Sequence, residues 1–147
     1  DYPDLFKAGA AFMGVPFGCF ATTDGSTWNS QCSSGQLIKT AQQWGDLVRA
    51  AYPGYNGPRP RVQLWHGTND TTLHYNNFTE AIKQWTNVLG VSQTPVFSQT
   101  LGNVTHTRYG QNSAQAPVEA FSLSGVGHSL PQSGQAAQAI AFFGLNN

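Results

Sequence analysis

Three short apolar runs set the fold of this chain. Each breaks off at glycine or proline, and each is followed by a polar loop and then a stretch of helical periodicity. The first, over 7–15 (Lys-Ala-Gly-Ala-Ala-Phe-Met-Gly-Val), ends at Pro16 and Gly18. The second, Arg61-Val62-Gln63-Leu64-Trp65, follows the turn Gly57-Pro58-Arg59-Pro60. The third is Pro117-Val118-Glu119-Ala120-Phe121-Ser122-Leu123. Short apolar runs bounded by turn residues are the pattern of strands buried on both faces. Between them, Leu37, Ile38, Ala41, Trp44, Val48 and Ala51 recur at helical spacing over 36–52, and Pro53 and Gly54 stop that helix. A second helix is expected over 75–89, closed by Gly90, and a third over 133–143. The stretch 92–116 is polar, with 104–109 as an edge strand. Strand and helix alternate without repeats, which predicts an α/β fold with a mostly parallel sheet flanked by helices.

Three main strands are few for a sheet covered on both faces, and Asp-Tyr-Pro-Asp-Leu-Phe over 1–6 reads as a helix end running straight into a strand. All of 1–147 is therefore expected to be one portion of a larger catalytic-size sheet, with a compact three-stranded domain as the alternative. The seven basic and seven acidic residues cancel, which leaves no field to attract nucleic acid or an anionic membrane. No apolar run approaches the ~18 residues of a membrane span.

The candidate chemistry lies just beyond two of the strands. Asp70, in Trp65-His66-Gly67-Thr68-Asn69-Asp70, comes five residues after Trp65. His128, in Gly125-Val126-Gly127-His128, comes five after Leu123. Loops at the carboxyl ends of parallel strands are where open α/β sheets carry their sites. An acid followed by a histidine is also the chain order of the later members of a Ser-His-Asp hydrolase triad. Taken alone, Asp70 reads equally well as a helix cap, and a lone loop histidine as a surface group. No Gly-x-Ser-x-Gly is present; Gly90-Val91-Ser92-Gln93-Thr94 lacks the second glycine. His66 is expected to be buried behind the site, with His74 opening a helix and His106 on the polar excursion. No His-x-x-x-His or carboxylate pair accompanies them, so neither a metal nor another cofactor is expected. Asp46, Glu80 and Glu119 fall on element bodies, which disfavours a paired-carboxylate glycosidase.

Cys19 and Cys32 bracket a loop rich in Ser, Thr and Gly, and a local disulfide is favoured over free thiols. Trp28 within that loop, and Phe17 and Phe20 beside it, are candidates to pack on a sugar or aryl group, or merely to anchor the loop. Asn77 and Asn103 begin glycosylation sequons. Asn69 begins a third and is expected bare, because it adjoins Asp70. Residue 1 does not open a signal peptide, so secretion would require an upstream segment.

At these motifs the chain resembles the carbohydrate esterase family 1 enzymes of filamentous fungi, especially the acetylxylan esterases. The resemblance is carried by 2–9 (Tyr-Pro-Asp-Leu-Phe-Lys-Ala-Gly), 14–19 (Gly-Val-Pro-Phe-Gly-Cys), 28–32 (Trp-Asn-Ser-Gln-Cys), 66–70 (His-Gly-Thr-Asn-Asp) and 125–128 (Gly-Val-Gly-His). It implies the C-terminal half of an α/β-hydrolase fold, a serine nucleophile, no metal, and extracellular removal of acetyl groups from xylan. It also implies Asp70 as triad acid, His128 as triad base, Cys19 and Cys32 as a disulfide, and Trp28 in a substrate-facing loop. The serine and the oxyanion donors then belong upstream of Asp1, on a partner segment that is either missing or, as favoured here, a separate chain of a nicked enzyme. A feruloyl esterase of the same family is the alternative within this chemistry. A carbohydrate-binding module without a nucleophile is the alternative outside it.

Overall fold

The computed structural model describes residues 2–129 and 132–145. Strand β1 (Ala8–Phe12) leads through a long loop containing a single turn of helix, α1 (Ser30–Ser33), to helix α2 (Ala41–Ala50). Then come β2 (Arg61–Gly67), helix α3 (Asn76–Val88), a hairpin of β3 (Phe97–Leu101) and β4 (Val104–Tyr109), β5 (Val118–Leu123) and helix α4 (Gln135–Phe143). The strands form one sheet in the order β1-β2-β5-β4-β3. β1, β2 and β5 pair in parallel, and the hairpin adds two antiparallel strands. The expected α/β architecture is present, with a mixed sheet.

The central strands β2 and β5 are almost wholly buried, which is why they read as continuous apolar runs. On one face, Phe78 and Ala81 of α3 pack on Val62, Leu64, Val118 and Ala120. α2 lies against α3, joined by polar groups that burial obliges to pair. The fully buried Trp44 indole donates to Glu80 Oε2 at 2.7 Å. Gln84 donates to the Trp44 and Phe17 carbonyls and accepts the Phe17 amide at 2.7 Å. α2 starts at Ala41 rather than at 36, because Thr40 caps it and forms a reciprocal capping box with Gln43.

Two features depart from expectation. Segment 104–109 is a strand, but β3 lies outside it and forms the edge. Ser98, Gln99, Thr100 and Leu101 of β3 are all exposed, so no apolar pattern marked them; the tight turn at Gly102, with φ +59°, makes the hairpin. At the opposite edge, β1 is only half-buried. Close by, Tyr2, Phe6, Phe17, Val48, Tyr52 and Trp85 border an apolar hollow of about 350 Å³.

The other sheet face carries a ladder of rings. Phe12 stacks on Trp65 at 5.7 Å, Trp65 on Phe121 at 3.9 Å, and Phe121 on His106 at 4.2 Å, one ring from each of four adjacent strands. Beside it, Glu119 accepts hydrogen bonds from Gln63, His106 and Arg108 at 2.9–3.0 Å. Burial alone pushes the Glu119 carboxyl up, but the bonds from His106, Gln63 and Arg108 together outweigh it and hold the group below its ordinary value. A folded value below the unfolded one stabilises the fold above the ordinary carboxylate range, and that contribution disappears as pH falls through the lowered value. Urea unfolding from neutral pH into the acid range should therefore show a shallower loss of stability in Glu119→Gln than in the parent. Equal slopes would contradict this role.

Candidate active site

Because β1, β2 and β5 are parallel, the loops that follow them open at one end of the sheet. Two of these loops are locked together by their backbones. Thr68 N–H donates to the Leu123 carbonyl and Asn69 N–H to the Val126 carbonyl, each at 3.0 Å, while Gly125 N–H donates to Thr68 Oγ1 at 2.9 Å. The approach is so close that a Cβ at Gly67 would overlap the Val126 carbonyl. Gly125, with φ +76°, turns the second loop back toward the first. From below, the buried Met13 Sδ accepts the Gly67 amide at 3.0 Å. Met13 itself holds φ +46°, a left-handed backbone that is uncommon outside glycine and that occurs at constrained sites.

This clasp brings Asp70 and His128, 58 residues apart in sequence, into contact: Asp70 Oδ2 lies 2.8 Å from His128 Nδ1. Asp70 Oδ1 accepts the Thr72 and Leu73 amides at 2.9 and 2.8 Å. The loop thus curls around the carboxylate, which is fully buried, whereas the His128 side chain is 37% exposed. Asp70 does not cap α3, whose first flanking residue is Tyr75. A carboxylate only accepts, so Nδ1 of His128 carries a proton and the lone pair of the neutral ring is on Nε2. Such a pair can take a proton at Nε2 and stabilise the resulting imidazolium through Asp70, which is what a hydroxyl nucleophile needs. Among the described residues, no serine hydroxyl is hydrogen-bonded to His128.

His66 lies behind the pair, 1% exposed. Burial holds its ring below the ordinary histidine value, more than the Leu73 hydrogen bond and the Asp70 charge raise it. His106 belongs to the Glu119 network on the far side of the sheet. Glu80 is tied to Trp44 and Lys83, Asp46 to Arg49. No carboxylate pair assembles from these, and among the described residues no three His, Cys, Asp or Glu side chains form a metal-binding group.

Cys19 and Cys32 are joined in a disulfide, with Cα atoms 5.6 Å apart. The loop they close is fastened to the Asp70 side of the site, since His74 N–H donates to the Ser33 carbonyl at 2.8 Å. Trp28 in that loop is 52% exposed and packs at a tilt against Phe20, with ring centroids 5.0 Å apart. Phe17 is 41% exposed, its backbone gripped by Gln84. Both follow β1 at the same end of the sheet as Asp70 and His128, but among the described residues neither stacks on nor hydrogen-bonds to Asp70 or His128. The sequon at Asn77 is a correction: this side chain is 1% exposed and its amide donates to the Cys32 carbonyl at 2.9 Å, so the folded chain has no room for a glycan there. Spacing alone could not show it, because Asn77 falls on the inner face of α3. Asn103 is exposed on the β3–β4 turn.

No family model matches the chain. It is 50% identical over 147 residues to an acetylxylan esterase of Coprinopsis cinerea, an alignment covering 98% of this chain and 38% of that protein. It is 46% identical over 134 residues to feruloyl esterase B of Talaromyces stipitatus, covering 88% of this chain and 37% of that protein. The solved acetyl xylan esterase from Aspergillus awamori superposes with a TM-score of 0.88 at 34% identity, over 97% of this chain and 52% of that one. The chain is thus related along nearly its whole length to fungal acetylxylan esterases, and it spans between a little over a third and a little under half of the curated relatives it matches.

The clasp makes a specific demand of Gly67. Gly67→Ala should separate the two loops and lower stability by about 1–3 kcal/mol, as overpacking against rigid backbone does, with the His128–Asp70 hydrogen bond weakened. Amide hydrogen exchange at Thr68 and Asn69 measures this; unchanged protection there would contradict the account.

Proposed function

We propose that this chain, a relative of the fungal acetylxylan esterases, supplies the acid and base of a serine carboxylesterase that removes acetyl groups from xylan. The Asp70–His128 contact carries the reading. The 50% identity to the Coprinopsis cinerea enzyme supports the substrate. His128 Nε2 takes the proton of a serine hydroxyl as that oxygen attacks the acetyl carbonyl, and Asp70 stabilises the imidazolium. His128 then returns the proton to the departing sugar oxygen, and water releases acetate by the same route. The serine and the amides of the oxyanion hole belong, in this reading, to the remainder of the polypeptide. That segment extends the sheet along β1, whose outer edge carries no partner strand among the described residues, and covers the apolar hollow beside Phe6 and Trp85. Trp28 and Phe17 contribute to the acyl or sugar pocket. The Cys19–Cys32 disulfide and the exposed sequon at Asn103 support action outside the cell.

A second reading, feruloyl ester cleavage by the same machinery, draws on the 46% identity to feruloyl esterase B. Rates of the full-length protein on p-nitrophenyl acetate and methyl ferulate separate the two. The account expects acetate to be preferred, and a preference for ferulate would replace it with the second reading. His128→Ala in the full-length protein should lower kcat by about 10³-fold or more with the fold intact; near-normal turnover would remove the proposal. Trp28→Ala should change the ratio of rates on the two esters, and an unchanged ratio would reject a role in the pocket.

A further inference from the structure

Among the described residues, His66 is the one buried titratable group beside Asp70 and His128 that the proton-transfer scheme leaves without a task. Its ring Nε2 lies 2.8 Å from the Leu73 carbonyl, and a carbonyl can only accept, so Nε2 carries the proton. That nitrogen is also 3.5 Å from Asp70 Oδ2, the same oxygen that meets His128. The contacts form a closed loop. Leu73 gives its amide to Asp70 Oδ1 and its carbonyl to His66, while His66 is the penultimate residue of strand β2, four residues before Asp70. The turn bearing the carboxylate is thus laced to rigid sheet at the residue that follows it.

We propose that His66 is a positioning residue for Asp70: its Nε2–H holds the Leu73 carbonyl and so keeps Oδ2 aimed at His128. The proposal rests on the esterase reading above. The ring must do this uncharged, since a second cation at 3.5 Å would compete with His128 for the carboxylate. The charged and titratable groups that face it are Asp70, His128 and His74. Tyr75 packs edge-on against it at a centroid distance of 6.0 Å, and Phe78 packs at 6.1 Å. With these rings against it, the His66 ring is 1% exposed, so its Nε2–H meets the Leu73 carbonyl rather than water.

The test compares His66→Gln, which keeps an N–H donor, with His66→Leu, which does not, both in the full-length protein. His66→Leu should lower kcat on p-nitrophenyl acetate by about tenfold or more with KM unchanged. The acid limb of its kcat–pH profile should differ from the parent's, because Asp70 Oδ2 is no longer held toward His128 Nδ1. His66→Gln should restore kcat to within about threefold of the parent, with the parent's pH profile. A purely space-filling histidine would leave the profile in place. Parent-like kcat and profile in His66→Leu would overturn the proposal, as would a His66→Gln variant that melts normally yet has lost its turnover. Should His66→Leu fail to fold, His66→Gln decides alone by the same criterion. His128→Ala in the same assay isolates the underlying reading: if that variant stays active, the esterase assignment of the pair fails, whatever His66 does.

Discussion

At the end of β2 the backbone comes so near the turn after β5 that only a residue without a side chain can stand at position 67. From that contact follow the bonds of Thr68 and Asn69 to the Leu123 and Val126 carbonyls, and from those the meeting of Asp70 with His128. The sheet supplies the platform, since β2 and β5 pair in register from Val62↔Val118 to Gly67↔Leu123 and their loops start level. The placement of the pair is therefore a backbone property. Local contacts refine it: the Met13 side chain, just after β1, supports Gly67, and the Thr72 and Leu73 amides fix one carboxylate oxygen.

The two sheet faces divide the remaining work. The α3 face is held by aliphatic packing and by amide groups of Gln84 that substitute for missing backbone partners. The opposite face, where the Gln63 amide reaches the Gln138 carbonyl of α4, is held by stacked rings and the buried carboxylate of Glu119. Glu119 joins β5 to both neighbours, taking bonds from Gln63 of β2 and from His106 and Arg108 of β4. The hairpin at the sheet edge is thereby tied to the strand whose following loop carries His128.

Much of this was legible in the residues. The central strands β2 and β5 announced themselves because burial on both faces requires unbroken apolar runs, and Asp70 and His128 could be placed because each follows such a run at a loop. β3 was not legible: an edge strand with exposed Ser98, Gln99 and Thr100 carries no periodic signal. Asn77 misled for the opposite reason, since a sequon records only local sequence and not which face of α3 is buried. His66 was expected behind the site, but its bond to Leu73 depends on how the turn closes, which spacing does not encode. What Trp28 and Phe17 touch depends on loop packing, which is likewise invisible in a linear reading.

The central claim is that His128, oriented by Asp70, is the base for a serine on the rest of the polypeptide. It is tested most directly by a crystal structure of the full-length protein after reaction with a serine-directed phosphonate. The account predicts a covalent adduct on the serine of a Gly-x-Ser-x-Gly turn beside β1, with its oxygen within about 3 Å of His128 Nε2 and Asp70 still bonded to Nδ1. An adducted serine served by a different histidine, or no adduct in an active preparation, would contradict it.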